Sequence, residues 1–170
     1  MKPSSTYTNQ RVGIFVDVQN LYHSSKNLYH GRVNYPELMK ALVGGRQLIR
    51  AMAYVVKSDT ALGESAFFDA LEKSGLELRS KDLQIYPDGL KKADWDVGMA
   101  VDAIRMSSFL DVVILVTGDG DFLPLVDYLK WGVGRLVEVA AFRRSASSKL
   151  QEAVDQFINL EDIPKIILKK

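Results

Sequence analysis

Apolar residues follow two rhythms along this chain. Short runs that are apolar nearly throughout, RVGIFV (11–16), QLIRAMAYVV (47–56), DVVILVTG (111–118) and RLVEVAAF (135–142), are dense in branched residues and read as buried strands. LELRS (76–80) alternates and reads as a further strand, and LQIYPDG after it reads as a strand end or a loop. Between the runs, apolar residues recur at helical spacing. YPELMKALV (35–43) is stopped by Gly44 and Gly45, LGESAFFDALEKSG (62–75) ends at Gly75, and DWDVGMAVDAIRMSS (94–108) follows. FLPLVDYLKWG (122–132) carries Pro124 in its first turn, where a missing N–H costs little. SASSKLQEAVDQFINL (145–160) is expected as a last helix with serines available as its N-cap.

Strands that alternate with helices form βαβ units, so the fold class is α/β. The runs 11–16 and 111–117 are apolar at every position inside their ends, as strands of a parallel sheet covered on both faces must be. In such a sheet the binding site lies beyond the carboxyl ends of the strands, at a switch point of the topology. The residues after each strand are therefore the ones to inspect. DVQN supplies Asp17 and Asn20, and TGDGD supplies Thr117, Asp119 and Asp121. Asp94 and Asp96 stand at the start of a predicted helix, with Asp102 further on. Asp96 and Asp102 are separated by about 240° around a helix and do not share a face, so Asp102 ranks lower.

Each Asp taken alone also fits a helix N-cap or a turn, and the glycines alone fit tight turn geometry. Their coincidence at one predicted edge argues for more. Converging carboxylates in a partly buried cleft repel unless a cation is present. The chain has no cysteine and only two histidines, His23 and His30, so its donors are oxygens, which suit Mg²⁺ or Mn²⁺ rather than zinc. Metal-assisted hydrolysis of a phosphodiester is the matching reaction class. The 170 residues suit one domain, with residues 1–10 a disordered lead-in and 162–170 a C-terminal tail. The formal charge of +1 argues against a grip on nucleic acid by bulk charge and leaves room for a local basic rim. No apolar run approaches the roughly 20 residues of a membrane span, and the polar start lacks a signal-peptide core, so a cytoplasmic location is expected.

The blocks FVDVQNLY (15–22), KKADWDVGMAVDA (91–103), VTGDGDFLPLV (116–126) and SASSKLQEAVDQFINL (145–160), in this order, resemble the NYN domain of the LabA/DUF88 type, within the PIN-like nuclease superfamily. The resemblance covers roughly residues 11–161, with Ala93 where the family usually has Gly and Val154 where Ala is usual before the Asp. It implies a three-layer α/β/α sandwich, PIN-like and Rossmann-like, around a mainly parallel sheet of five or six strands. It also implies a metal-dependent ribonuclease with RNA as its partner. By motif position Asp17, Asp96, Asp119 and Asp121 would form the metal cluster. Asn20 would hold the first loop or touch a metal-bound water, and Asp102 would be accessory. In that picture a single-stranded RNA crosses the strand ends, Thr117 bonds the phosphate or an Asp, and the products carry a 5′-phosphate and a 3′-hydroxyl.

Nucleic acid also needs cations and stacking surfaces. Lys91 and Lys92 precede the acidic helix, Arg143 and Arg144 follow the last strand, and Trp95, Tyr22 and Tyr86 lie beside these segments. The same Lys and Arg also fit plain solvated charges, and Trp95 also fits a core position. The histidines read as exposed or partner-contacting. The tail IPKIILKK suits packing on its own domain or a contact in a homodimer. A Toprim domain would need Glu after its first strand, and a receiver domain an acidic pair there; neither matches Asp17 and Asn20. A non-catalytic RNA- or protein-binding module that retains the nuclease fold is the alternative.

Overall fold

The computed structural model describes residues 7–57, 64–89, the backbone of 91–92, and 94–169. Six strands form one sheet: β1 (Arg11–Asp17), β2 (Gln47–Lys57), β3 (Glu77–Asp82), β4 (Val112–Val116), β5 (Leu136–Ala141) and β6 (Gln156–Asn159). Their order is β3-β2-β1-β4-β5-β6, and every neighbouring pair is parallel. The order reverses direction between β1 and β4, which makes their carboxyl ends the switch point of the sheet.

Helices cover both faces, which is why the central strands are apolar along their buried lengths. Val12, Ile14 and Val16 of β1 and Val112, Ile114 and Val116 of β4 point to one face. There they meet α1 (Val18–Tyr29), α2 (Tyr35–Val43) and α3 (Glu64–Lys73) through Leu21, Leu38, Leu42 and Leu71. Phe15, Tyr54, Val113 and Leu115 point to the other face. There they meet α4 (Asp96–Met106), α5 (Leu123–Asp127) and α6 (Ser148–Ala153) through Met99, Val126 and Leu150.

Two expected elements differ. The last segment is not one helix over 145–160: α6 stops at Ala153, and residues 156–159 become the edge strand β6. Asp155 makes the switch by clasping β5, its N–H donating to the Val137 carbonyl at 2.9 Å and its carboxylate accepting the Val137 N–H at 2.8 Å. Pairing with an open sheet edge outweighs the local helical spacing. The helix expected over 122–132 has α-geometry only to Asp127 and continues as a wider π turn over Tyr128–Gly132.

The tail packs on its own domain. Ile163 and Ile166 are buried in the first core, and Ile167–Leu168 pairs antiparallel with Arg32–Val33. Of the expected lead-in, residues 1–6 lie outside the described residues. Gln10 is packed, its carbonyl accepting the Gln47 N–H and its side chain accepting from Arg46. Among the described residues no helix is long and apolar enough to cross a membrane.

Candidate metal centre

Strand β1 ends at Asp17, and α1 begins on the next residue. The Asp17 carboxylate caps that helix by accepting the Asn20 N–H at 3.2 Å. It also accepts the Thr117 hydroxyl at 3.1 Å. Thr117, fully buried after β4, in turn accepts the Asp119 N–H at 3.2 Å. Asn20 closes the circuit, its side-chain oxygen accepting the Gly118 N–H at 3.0 Å. The two strand ends at the switch point are thus locked to one another by their own polar residues.

Asp119 directs its side chain forward, accepting the Asp121 N–H at 2.9 Å and so starting the short turn Gly120–Phe122. Across the cleft α4 begins at Asp96, whose N–H donates to the Asp94 carboxylate at 3.3 Å. One oxygen from each of Asp96, Asp119 and Asp121 lies within 4.8 Å of the others. Burial pushes the Asp96 carboxyl up to about 6, and the charges of Asp119, Asp17, Asp94 and Asp121 add to the push. Asp17 is raised as well, first by burial and then by Asp119 and Asp94, while its bonds from Asn20 and Thr117 pull the other way. Three convergent carboxylate oxygens are a hard-donor set, so the residues fit a divalent ion such as Mg²⁺ or Mn²⁺.

The grouping differs from the set carried over by motif. Asp17 stands beside the triplet rather than in it, with both oxygens engaged by Asn20 and Thr117. Asp94, absent from that set, acts on both Asp17 and Asp96 by charge. Asp102, expected as an accessory member, lies outside the triplet. It is buried on the far side of α4, where it accepts the Tyr54 hydroxyl at 2.8 Å and the Arg79 guanidinium at 2.8 and 2.9 Å. The helical turn separates it from Asp96, as the six-residue spacing requires.

The glycines of TGDGD have a further reason to be there. A Cβ on Gly118 would meet the Ala146 Cα at 3.0 Å, and one on Gly120 would meet the Ser147 hydroxyl at 2.9 Å. The loop after β5 lies directly on this turn, with the Ser147 N–H donating to the Gly118 carbonyl at 2.9 Å. Nothing in the local sequence signals that contact, because it joins segments almost thirty residues apart.

Of the expected substrate contacts, Trp95 is occupied within the domain. Its indole N–H donates to the Val55 carbonyl at 2.9 Å, its ring leans on Tyr54, and Lys81 lies over it at 4.9 Å. These contacts match the core position that its sequence also fits. Arg143 and Arg144 are exposed on the loop beside TGDGD, Arg143 over the Phe157 ring at 5.4 Å and Arg144 at 3.8 Å from Glu161. Lys91–Lys92 pairs antiparallel with Gln84–Ile85, and the lysine side chains lie outside the described residues.

Comparison with known proteins agrees with this architecture. The NYN domain family profile matches residues 11–161. The low amplitude and bright protein LabA of Synechococcus elongatus is 25% identical over 174 residues, covering 94% of this chain and 88% of that protein. The crystal structure of a protein of unknown function from Vibrio parahaemolyticus superposes with a TM-score of 0.87 at 30% identity, covering 96% of this chain and 99% of that one. With the family profile spanning nearly all of the folded chain and the same fold in a solved relative, this chain belongs to the NYN domain family and is of the LabA type, within the PIN-like nucleases.

Proposed function

We propose that this protein is a divalent-metal-dependent ribonuclease that hydrolyses phosphodiester bonds of single-stranded RNA at the carboxyl edge of its sheet. The observation that carries the reading is the triplet Asp96, Asp119 and Asp121 at the switch point, with oxygens within 4.8 Å of one another. These three side chains would hold the ion, Mg²⁺ or Mn²⁺. A bound ion of this kind supplies an acidified water and neutralises charge on a phosphodiester.

The chain's own residues do the rest. Thr117 and Asn20 fix Asp17 so that its charge faces the cleft without competing for position. Asp94 fixes the first turn of α4 and with it the direction of Asp96. The loop 145–147, packed on Gly118 and Gly120, keeps the Asp119 turn from opening. Arg143 and Arg144, exposed on the loop beside the Asp119 turn, suit contacts to the phosphates of the strand.

The test is incubation with end-labelled single-stranded RNA in Mn²⁺, in Mg²⁺ and in EDTA. The wild type should cut only with metal. Asp119→Asn should lose cutting while its circular dichroism is unchanged. RNA retained without cutting in either metal would assign the cleft to a binding module and overturn the enzyme.

A further inference from the structure

Next to the acidic cleft, on the face covered by α1, α2 and α3, lies a cavity of about 480 Å³. Its position is set by the same strand end that positions the carboxylates. Val18 and Gln19, which line it, follow Asp17 directly, and Val55 and Val56, also in its wall, follow Tyr54, the register partner of Asp17 on β2. The rest of the wall carries Tyr22 from α1, Tyr35 from the start of α2, and Phe67 and Phe68 from α3, together with the charged Arg32 and Glu64.

One polar group in this wall opens onto the cavity. Tyr35 is only 7% exposed, and its ring stands edge-on to Phe67 at 6.1 Å. Its hydroxyl nevertheless has no hydrogen-bond partner among the described residues. That hydroxyl is reached from the cavity rather than sealed in, so water satisfies it when the cavity is empty and an occupant can take the water's place. Two further groups stand at the rim. The exposed Gln19 amide offers a donor and an acceptor, and the exposed Arg32 has no ion pair among the described residues.

These features select a ligand class. The volume suits a small planar molecule. Aromatic walls favour a flat π-system, since bases stack on aromatic side chains whatever their sequence. A guanidinium favours a phosphate. A purely apolar occupant would leave the Tyr35 hydroxyl unpaired and Arg32 unused.

We propose that this cavity binds a nucleobase of the RNA strand being cut, with the ring on the aromatic wall, its edge at Tyr35 and Gln19, and the attached phosphate toward Arg32. The cavity then fixes which nucleotide lies next to the scissile bond. The assignment to an RNA strand rests on the ribonuclease reading, whereas the binding itself needs no metal.

The experiment is calorimetric titration of the full chain in EDTA with AMP, GMP, CMP and UMP, and with inorganic phosphate as a separate probe. At least one mononucleotide should bind saturably, and phosphate alone should bind far more weakly. Tyr35→Phe, which removes only the free hydroxyl, should weaken that binding roughly three- to tenfold. Phe67→Ala should weaken it by about tenfold or more, and the exposed Gln19→Ala provides a variant that does not disturb the core. A short single-stranded RNA should displace the mononucleotide. Absence of mononucleotide binding, binding unchanged in Tyr35→Phe and Gln19→Ala, or a mononucleotide that RNA does not displace would each overturn the proposal. Mononucleotide binding that persists in a protein unable to cut RNA in any metal would instead overturn the ribonuclease reading and leave the cavity as a nucleotide site.

Discussion

The side-chain oxygen of Asn20 accepts the backbone N–H of Gly118 at 3.0 Å, joining the turn after β1 to the turn after β4 across the switch point of the sheet. Gly118 is buried, so no water can replace that acceptor. Asn20→Ala is expected to lower stability by about 1–3 kcal/mol, the cost of a buried donor left without a partner. Denaturant unfolding of the two proteins measures it, and an unchanged midpoint would show that the bond does not hold the two turns together.

The acidic triplet makes the metal-free protein sensitive to pH. The folded-state value of Asp96 is raised from 3.8 to about 6. A carboxyl raised on folding binds more protons in the native state, so its contribution to stability is full below about 4 and is lost as pH rises through about 6. Asp17 is raised too and acts in the same direction. Melting of the wild type in EDTA should therefore show a loss of stability across this window that Asp96→Asn reduces. Mn²⁺ competes with the proton at Asp96, so its stabilising effect should be larger at pH 7.5 than at pH 5. Equal Mn²⁺ stabilisation at both pH values would remove Asp96 from the metal set.

Asp102 should behave as a structural residue. It accepts hydrogen bonds from Tyr54 and Arg79 while only 3% exposed, and Arg79 itself is partly solvated. Asp102→Asn is expected to cost about 1–3 kcal/mol, discounted for that solvation. Its affinity for Mn²⁺ should stay within about twofold of wild type, since it stands outside the triplet; a loss of affinity like that of Asp119→Asn would return it to the site.

A second ion pair lies wholly inside the domain. Arg46, ahead of β2, grips both oxygens of Glu138 on β5 at 2.9 and 3.0 Å, with side chains 3% and 2% exposed. Arg46 also donates to the Leu42 and Val43 carbonyls and to Gln10, so every part of the pair is satisfied. Glu138→Gln leaves a buried guanidinium without its counter-charge, and unfolding should become easier by about 3–5 kcal/mol. A loss below about 1 kcal/mol would mean that water reaches Arg46.

Much of this architecture was legible because strand and helix periods alternate cleanly and the central strands are apolar on both faces. Asp17 and Asp119 were legible because each directly follows such a strand, and that position is where α/β sheets build sites. Contacts between distant segments were not. Glu138 in RLVEVAAF looks like an outward polar residue until Arg46 is seen opposite it. Residues 154–159 carry helical spacing, and only the open edge of β5 turns them into a strand. Tyr35 and the Phe67–Phe68 pair read as ordinary helix-face residues, since a cavity exists only once three helices are placed.

Asp96, Asp119 and Asp121 are expected to hold a divalent ion. Anomalous diffraction from a crystal soaked in Mn²⁺ tests it most directly. A manganese peak bonded to oxygens of these three residues is expected, and no such peak in Asp119→Asn. A soaked wild-type crystal with no manganese among them, or with manganese bound to Asp102 instead, would contradict it.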